Sequence, residues 1–240
     1  MKNARRVSLT PGYVLHHYAY RDTSRIVEAF TAEHGRLSLF ARGAAAPKSA
    51  LRAALRPFQR LLLSWVGRTD ACQLQAAEAD GEPATLPPAR LMSGFYLNEL
   101  LLKLTLRADP HPRIFACYAE AVRSLCGAED EPRVLRRFEK RLLEELGYGL
   151  QLANTGQGQP IEPTMYYRFK PQSGPEPCVA EAAGAVYGQS LADLNAEVFG
   201  DARTLRDAKQ VLRAALDACL EGRPLNSRQI MLDLRRRQRA

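Results

Sequence analysis

The chain has 240 residues, 46% of them hydrophobic and 25% charged, which excludes a disordered or fibrous protein and fits ordinary globular domains. Its net charge of +8 is uneven, because the first eighty residues carry 12 Lys/Arg against 6 Asp/Glu. A basic surplus favours an acidic partner, nucleic acid first. No run is apolar for long enough to span a membrane, and the charged start Met1-Lys2-Asn3-Ala4-Arg5-Arg6 does not read as a secretory signal. The expected location is therefore the cytoplasm, with no membrane partner.

The first eighty residues read as five strands, over 13–20, 25–31, 36–41, 58–66 and 72–78. They are short, rich in β-branched, aromatic and leucine residues, and separated by turn chemistry such as Arg21-Asp22-Thr23 and Gly67-Arg68-Thr69-Asp70. Arg36-Leu37-Ser38-Leu39-Phe40 alternates as a half-buried strand should. Five such strands fit a small closed barrel, either an OB-fold or an SH3-like barrel. Between the third and fourth lies an acid-free basic stretch with Arg42, Lys48, Arg52, Arg56 and Arg60. It opens on Gly43, Ala44, Ala45, Ala46 and Pro47, so its first part is expected to be unburied. Charge on a loop held by a sheet is what a polyanion needs. Of the interleaved aromatics, Phe30, Phe40 and Trp65 are expected in the core, while Tyr18 and Tyr20 beside Arg21 are expected at the surface as stacking platforms.

The segment Gly81-Glu82-Pro83-Ala84-Thr85-Leu86-Pro87-Pro88 ends the strands, and the apolar period then becomes helical. Helices are predicted over 88–106, from Asp109 as cap to Gly127, over 132–146, over 204–220 and over 227–236. In the third, Val134, Leu135, Phe138, Leu142 and Leu146 form the apolar stripe, and Arg133, Arg136, Arg137, Lys140 and Arg141 a basic face. Residues 151–180, rich in Gly, Pro and Gln, read as an irregular insertion. The reading is thus an α+β multidomain protein, with a barrel over 1–80 and an α-helical domain over 81–240.

A catalytic constellation is not evident. His16 and His17 are neighbours on a strand and point to opposite faces, so they cannot share a metal, and a hydrolase built on them with Asp22 has little support. Thr155-Gly156-Gln157-Gly158 lacks the Lys-Ser/Thr pair of a phosphate loop. The five cysteines, at 72, 117, 126, 178 and 219, have no zinc-knuckle spacing. A non-enzymatic binding protein without cofactor is expected.

Ordered motifs then carry a resemblance. Tyr13-Val14-Leu15-His16, Thr23-Ser24, Phe30-Thr31, Gly35-Arg36, Ala41-Arg42-Gly43 and Leu55-Arg56-Pro57-Phe58 resemble the N-terminal barrel of the RecO family of bacterial recombination mediators. Tyr96-Leu97-Asn98-Glu99-Leu100, Leu135-Arg136-Arg137-Phe138-Glu139, Leu146-Gly147-Tyr148-Gly149 and Pro224-Leu225-Asn226-Ser227-Arg228 are similar to its later segments. The resemblance implies an N-terminal OB-fold that binds single- and double-stranded DNA, and a helical C-terminal domain. It further implies annealing of complementary strands, including those coated by the single-stranded DNA-binding protein SSB, and cooperation with RecR to assist RecA loading near the nucleoid. On this reading Arg21, Arg42, Lys48, Arg52 and Arg56 bind DNA, and Arg136, Arg137, Leu135 and Phe138 bind the acidic SSB tail, with Arg136 foremost. Some members carry a four-cysteine zinc site in the irregular segment; only Cys178 stands there, so no metal is expected. An RNA- or ribosome-associated OB-fold protein is the alternative.

Overall fold

The structure is a computed structural model that describes residues 6–67 and 72–239, without the side chains of 235 and 237–239. Arg68, Thr69 and Asp70 of the expected turn, and the side chains of Arg235, Arg237 and Arg239, lie outside the described residues. Two compact units are present, Met1–Ala128 with Leu225–Ala240, and Glu129–Pro224.

In the first unit, β1 (Arg6–Tyr20), β2 (Ser24–Thr31), β3 (Gly35–Ala41), β4 (Arg60–Val66) and β5 (Cys72–Ala79) close a barrel in the order β1-β2-β3-β5-β4. A parallel step, Leu39 beside Cys72 and Phe40 beside Gln73, joins β3 to β5, and β1 pairs with both β2 and β4. This is the OB-fold arrangement, which decides between the two barrels the strand pattern allowed. β1 starts earlier than its sequence suggests, because Pro11 and Gly12 pair in register with β4 inside the strand instead of ending it. Gly12 pairs with Thr31 on one edge and Leu61 on the other. A Cβ there would lie 2.8 Å from Leu63 Cδ1 and 3.2 Å from the Phe30 carbonyl, so the close approach of β1 to its neighbours needs glycine.

Alternation directs Val14, Val27, Leu39, Leu61, Leu63, Trp65 and Leu74 into the barrel. The basic stretch crosses one end of it through α1 (Ala50–Ala54), and Ala44 and Leu55 are buried in the same core. Contrary to expectation, then, the opening of that stretch is partly core: Ala44 anchors the loop that carries the charges. Phe40 also departs from expectation. It faces outward and is only half-buried, because it pairs with Ile26 on the outer row, whereas Phe30 and Trp65 are buried.

Helices α2 (Leu91–Leu104) and α3 (Pro112–Cys126) cover part of the outer face. Tyr13 and Phe30, partners on β1 and β2, place their rings 5.5 and 5.9 Å from that of Phe115. Asn98, fully buried, donates to the Leu15 carbonyl at 2.9 Å and accepts from the Tyr118 hydroxyl. Asp109 does not cap α3; its carboxylate lies 3.2 Å from His111, and the helix starts at Pro112. The final helix, α7 (Asn226–Arg239), is capped from α2: Glu99 accepts from the Asn226 and Ser227 amides, both at 2.8 Å. That contact satisfies orphan donors with a carboxylate, the favoured charge at a helix start.

The second unit holds α4 (Glu131–Glu145), α5 (Gly188–Asn195) and α6 (Ala202–Leu220). It also holds a sheet where the sequence reads as irregular: β6 (Tyr166–Lys170), β7 (Gly174–Cys178) and β8 (Ala185–Tyr187), in the order β7-β6-β8. Pro175 and Pro177 are tolerated because β7 is an edge strand. Arg203 seals one side of this sheet, its guanidinium 3.9 Å from the Tyr187 ring centre and hydrogen-bonded to the Tyr166 hydroxyl at 2.9 Å.

Gly35 supplies a test. Its φ is +61°, and a Cβ would fall 2.0 Å from the Asp109 carbonyl oxygen, a backbone atom with no rotamer to yield. Gly35→Ala is predicted to destabilise the barrel by about 2 kcal/mol or more. Urea unfolding followed by Trp65 fluorescence checks this, since Trp65 is the chain's single tryptophan and sits in the barrel core.

Candidate nucleic-acid interface

The outer barrel face is covered at one end of β1–β2 and open at the other. The open end is built by register. Tyr18 on β1 lies beside Ile26 on β2, which lies beside Phe40 on β3; one row further on, His16 lies beside Glu28 and Glu28 beside Ser38. Directly opposed residues of antiparallel strands share a face, so these two rows form one surface, edged by Tyr20. Tyr18 and Tyr20 are exposed, as expected, and the Tyr20 ring stands edge-on to Phe40 at 5.5 Å. The Arg21 guanidinium lies 5.4 Å from the Tyr20 ring centre. His16 packs edge-on to Tyr18 at 4.5 Å; burial, then neighbouring His17, pushes its pKa below the ordinary histidine value, which favours the neutral ring.

Glu28 divides the covered and open ends. Its side chain is buried, and it accepts from Arg36 at 2.9 Å, from Arg107 at 2.7 Å and from the Ser38 hydroxyl. Arg36 in turn donates to the Thr105 carbonyl at 3.1 Å. A buried carboxylate held by two guanidinium groups has its desolvation cost offset by charge-assisted bonds. Arg107 is half exposed, so one edge of its guanidinium is fixed while the rest faces a cleft of about 650 Å³. Tyr18, Tyr20, Arg21, Phe40 and Arg107 line that cleft.

The basic loop begins where this face ends. Arg42 follows Phe40 by two residues, and the Ala45 amide donates to the Thr23 carbonyl at 2.8 Å, tying the loop to the β1–β2 turn that holds Arg21. Arg21, Arg42, Lys48, Arg52 and Arg56 are all exposed, and none makes an ion pair with another described residue. Arg60 differs, being paired to Asp80 at 2.7 Å. The five cations singled out as DNA-binding therefore sit on one turn and one loop that are hydrogen-bonded to each other.

The four residues assigned to the SSB tail lie in another setting. On α4, Phe138 is core, and Arg136 is buried in a 2.7 Å ion pair with Glu139. Leu135 and Arg137 keep some accessible surface, and Arg137 pairs with Glu129 at 2.8 Å. Lys140 is buried and pairs with Glu144 at 2.7 Å, while Arg141 binds Glu197 at 2.8 Å. The basic face expected on this helix is thus largely spent on internal carboxylates. A helical stripe count misses this because the acidic partners come from other turns and from after α5. The first unit meanwhile contains a cleft of about 450 Å³ that sequence reasoning did not find. Tyr13, Phe58 and Val122 line it with Arg60 and Arg123, and Arg123 makes no ion pair with another described residue.

Among the described residues no group of three His, Cys, Asp or Glu is placed to hold a metal ion, and no helix is long and apolar enough to cross a membrane. The geometry defines an OB-fold protein with exposed cations and aromatics on one barrel end. Residues 6–79 match the family model described as "Recombination protein O N terminal", and residues 88–229 match "Recombination protein O C terminal". The DNA repair protein RecO of Thiobacillus denitrificans is 41% identical over 243 residues, covering 98% of this chain and 95% of the relative. The protein of the same name from Aromatoleum aromaticum is 41% identical over 237 residues, covering 98% and 99%. The chain belongs to the RecO family, and its role lies in DNA repair.

The Glu28 cluster gives a prediction. Glu28→Ala leaves the Arg36 guanidinium without its carboxylate and is expected to cost about 3 kcal/mol of barrel stability in urea unfolding. Arg107→Ala, which removes a half-exposed partner, is expected to cost about 1 kcal/mol.

Proposed function

We propose that this protein is a non-enzymatic mediator that binds single- and double-stranded DNA through the barrel of residues 1–80, anneals complementary strands, including SSB-coated ones, and with RecR assists RecA loading. The observation that carries the reading is the set of unpaired cations Arg21, Arg42, Lys48, Arg52 and Arg56 gathered on a turn and loop anchored in the barrel core. Their role is electrostatic: they hold phosphates and lower the repulsion between two approaching strands. No covalent step is required, and the site of action is the nucleoid in the cytoplasm. RNA binding by the same face is the alternative, distinguished by a preference for single-stranded RNA over DNA.

The SSB tail is acidic and apolar-ended, and it requires a cation beside an apolar surface. On α4 the partly exposed members of the assigned set are Leu135 and Arg137, two residues apart and so on different sides of the helix, with Arg137 the cation a tail could reach. A second reading is favoured by the cleft of Arg60 and Arg123, where apolar walls stand next to an arginine with no ion pair. Binding of a fluorescent tail peptide to Arg137→Ala and Arg123→Ala separates them. The variant at the true site is predicted to lose roughly 10-fold in affinity. Unchanged binding by both would remove both sites.

Annealing of complementary oligonucleotides coated with intact or tail-less SSB tests the whole function. Acceleration that requires the tail is expected, and no acceleration on either substrate would overturn it. Neutralising four to six phosphates further predicts a single-strand salt slope of roughly −3 to −4. Variants such as Arg52→Ala should make that slope shallower by about 0.7 for each phosphate no longer neutralised. A flat dependence would show that the loop is not the DNA site.

A further inference from the structure

We propose that Glu197 is a built-in competitor for the basic face of α4, its carboxylate holding the cations that an acidic peptide would use. A ligand must displace it to bind. The inference rests on the tail-binding reading of α4 above and adds to it the device that regulates that site. Three observations within the second unit carry it.

The first is what Glu197 touches. Its carboxylate accepts from Arg141 twice, from Nε at 3.0 Å and from Nη2 at 2.8 Å. It also lies 3.8 Å from Lys140 Nζ and 4.0 Å from Arg137 Nε. These three cations stand three and four residues apart on α4, so they share one side of the helix. One carboxylate from beyond α5 therefore sits where the acids of a ligand would be received. With 21% of its side chain accessible, it is held in place and still open to exchange.

The second is the position it occupies. α5 ends in a turn with two backbone bonds: the Val198 amide donates to the Asp193 carbonyl at 2.8 Å, and the Glu197 amide to the Leu194 carbonyl at 3.2 Å. In such an ending the residue with left-handed backbone is usually glycine, which has no Cβ to clash. Here it is Glu197, with φ +57°. A carboxylate at a helix C-terminus also meets the negative end of the helix dipole. Local structure thus disfavours glutamate twice, and neither turn bond uses its side chain. The compensation comes from the cations of α4. Because the turn is held by its backbone, the side chain can swing away without undoing it.

The third is its neighbour. Val198 follows Glu197 and is 53% exposed, an apolar side chain one residue from the carboxylate that the cations hold. A peptide with acids next to an apolar residue finds both contacts here once the Glu197 side chain withdraws. Competition also sets selectivity. A ligand with one acid exchanges one carboxylate for another and gains little, whereas a run of acids gains bonds. The site is therefore tuned to a polyacidic segment with an apolar end.

The test uses the full chain, a fluorescent SSB tail peptide and the same peptide with its acids replaced by amides. Anisotropy at low salt compares wild type, Arg137→Ala, Glu197→Gln, Glu197→Gly and Glu197→Gln/Arg137→Ala. Glycine is the residue the turn favours, so Glu197→Gly keeps the fold even where glutamine strains it, and thermal melting of helicity verifies this. Both single Glu197 variants are expected to bind the acidic peptide roughly 3- to 10-fold more tightly. Binding of the amide peptide is expected to stay unchanged, and the double variant to lose the gain. Unchanged or weaker binding by both Glu197 variants, with Arg137→Ala weakened, would overturn the proposal and leave α4 as the tail site. An equal gain on the amide peptide would overturn it as well. Wild-type affinity in Arg137→Ala and in every Glu197 variant would instead remove the tail-binding reading of α4, and the proposal with it.

Discussion

The placement of Glu28 organises the first unit. A carboxylate buried on a strand must be neutralised where it stands, and here Arg36 from β3 and Arg107 from beyond α2 both reach it. One charge thereby fixes the segment after α2 onto the sheet and marks the line where helical cover stops. On one side of that line Tyr13 and Phe30 disappear under α3; on the other Tyr18 stays in the open and Phe40 is only half-buried. The same bond orients Arg107 at the edge of the cleft. Packing of the helices and presentation of the surface thus follow from a single desolvated group.

Two uses of positive charge contrast within the chain. Cations of the barrel loop are left without carboxylate partners, which costs little at an exposed site and keeps them available to phosphate. Those of α4 are consumed by Glu129, Glu139, Glu144 and Glu197, and two of them are buried. Basic clusters on two segments therefore have different functional meaning, because an ion pair already made must be broken before a ligand can use it.

The barrel was legible because its strands alternate and its turns carry Gly, Asp and Thr at short intervals, so that four of the five strands lie close to their predicted bounds and only β1 starts well before its own. Strand order was not, since Leu39 beside Cys72 is a pairing between residues distant in sequence. Phe40 was misplaced because an alternating strand has two apolar options when its outer face also carries aromatics, and only the register with Ile26 shows which is in. Ala44 looked like loop filler, yet a methyl group is what fits the barrel's end. The sheet of β6, β7 and β8 escaped notice because its strands have three to five residues and include prolines. Burial of Arg136 was beyond reach, because Glu139 three residues on reads equally well as a surface pair. The exposed cations, by contrast, needed no tertiary information: a run of residues without acids cannot neutralise itself locally.

The central claim, that nucleic acid lies on the open end of the barrel and its basic loop, is tested most directly by photo-cross-linking. A single strand carrying 4-thiothymidine would be bound, irradiated and the adducts mapped by mass spectrometry. The account predicts adducts on peptides containing Tyr18, Tyr20, Phe40 and the loop from Arg42 to Arg56. Adducts confined to the unit Glu129–Pro224, or to the cleft of Arg60 and Arg123, would contradict it.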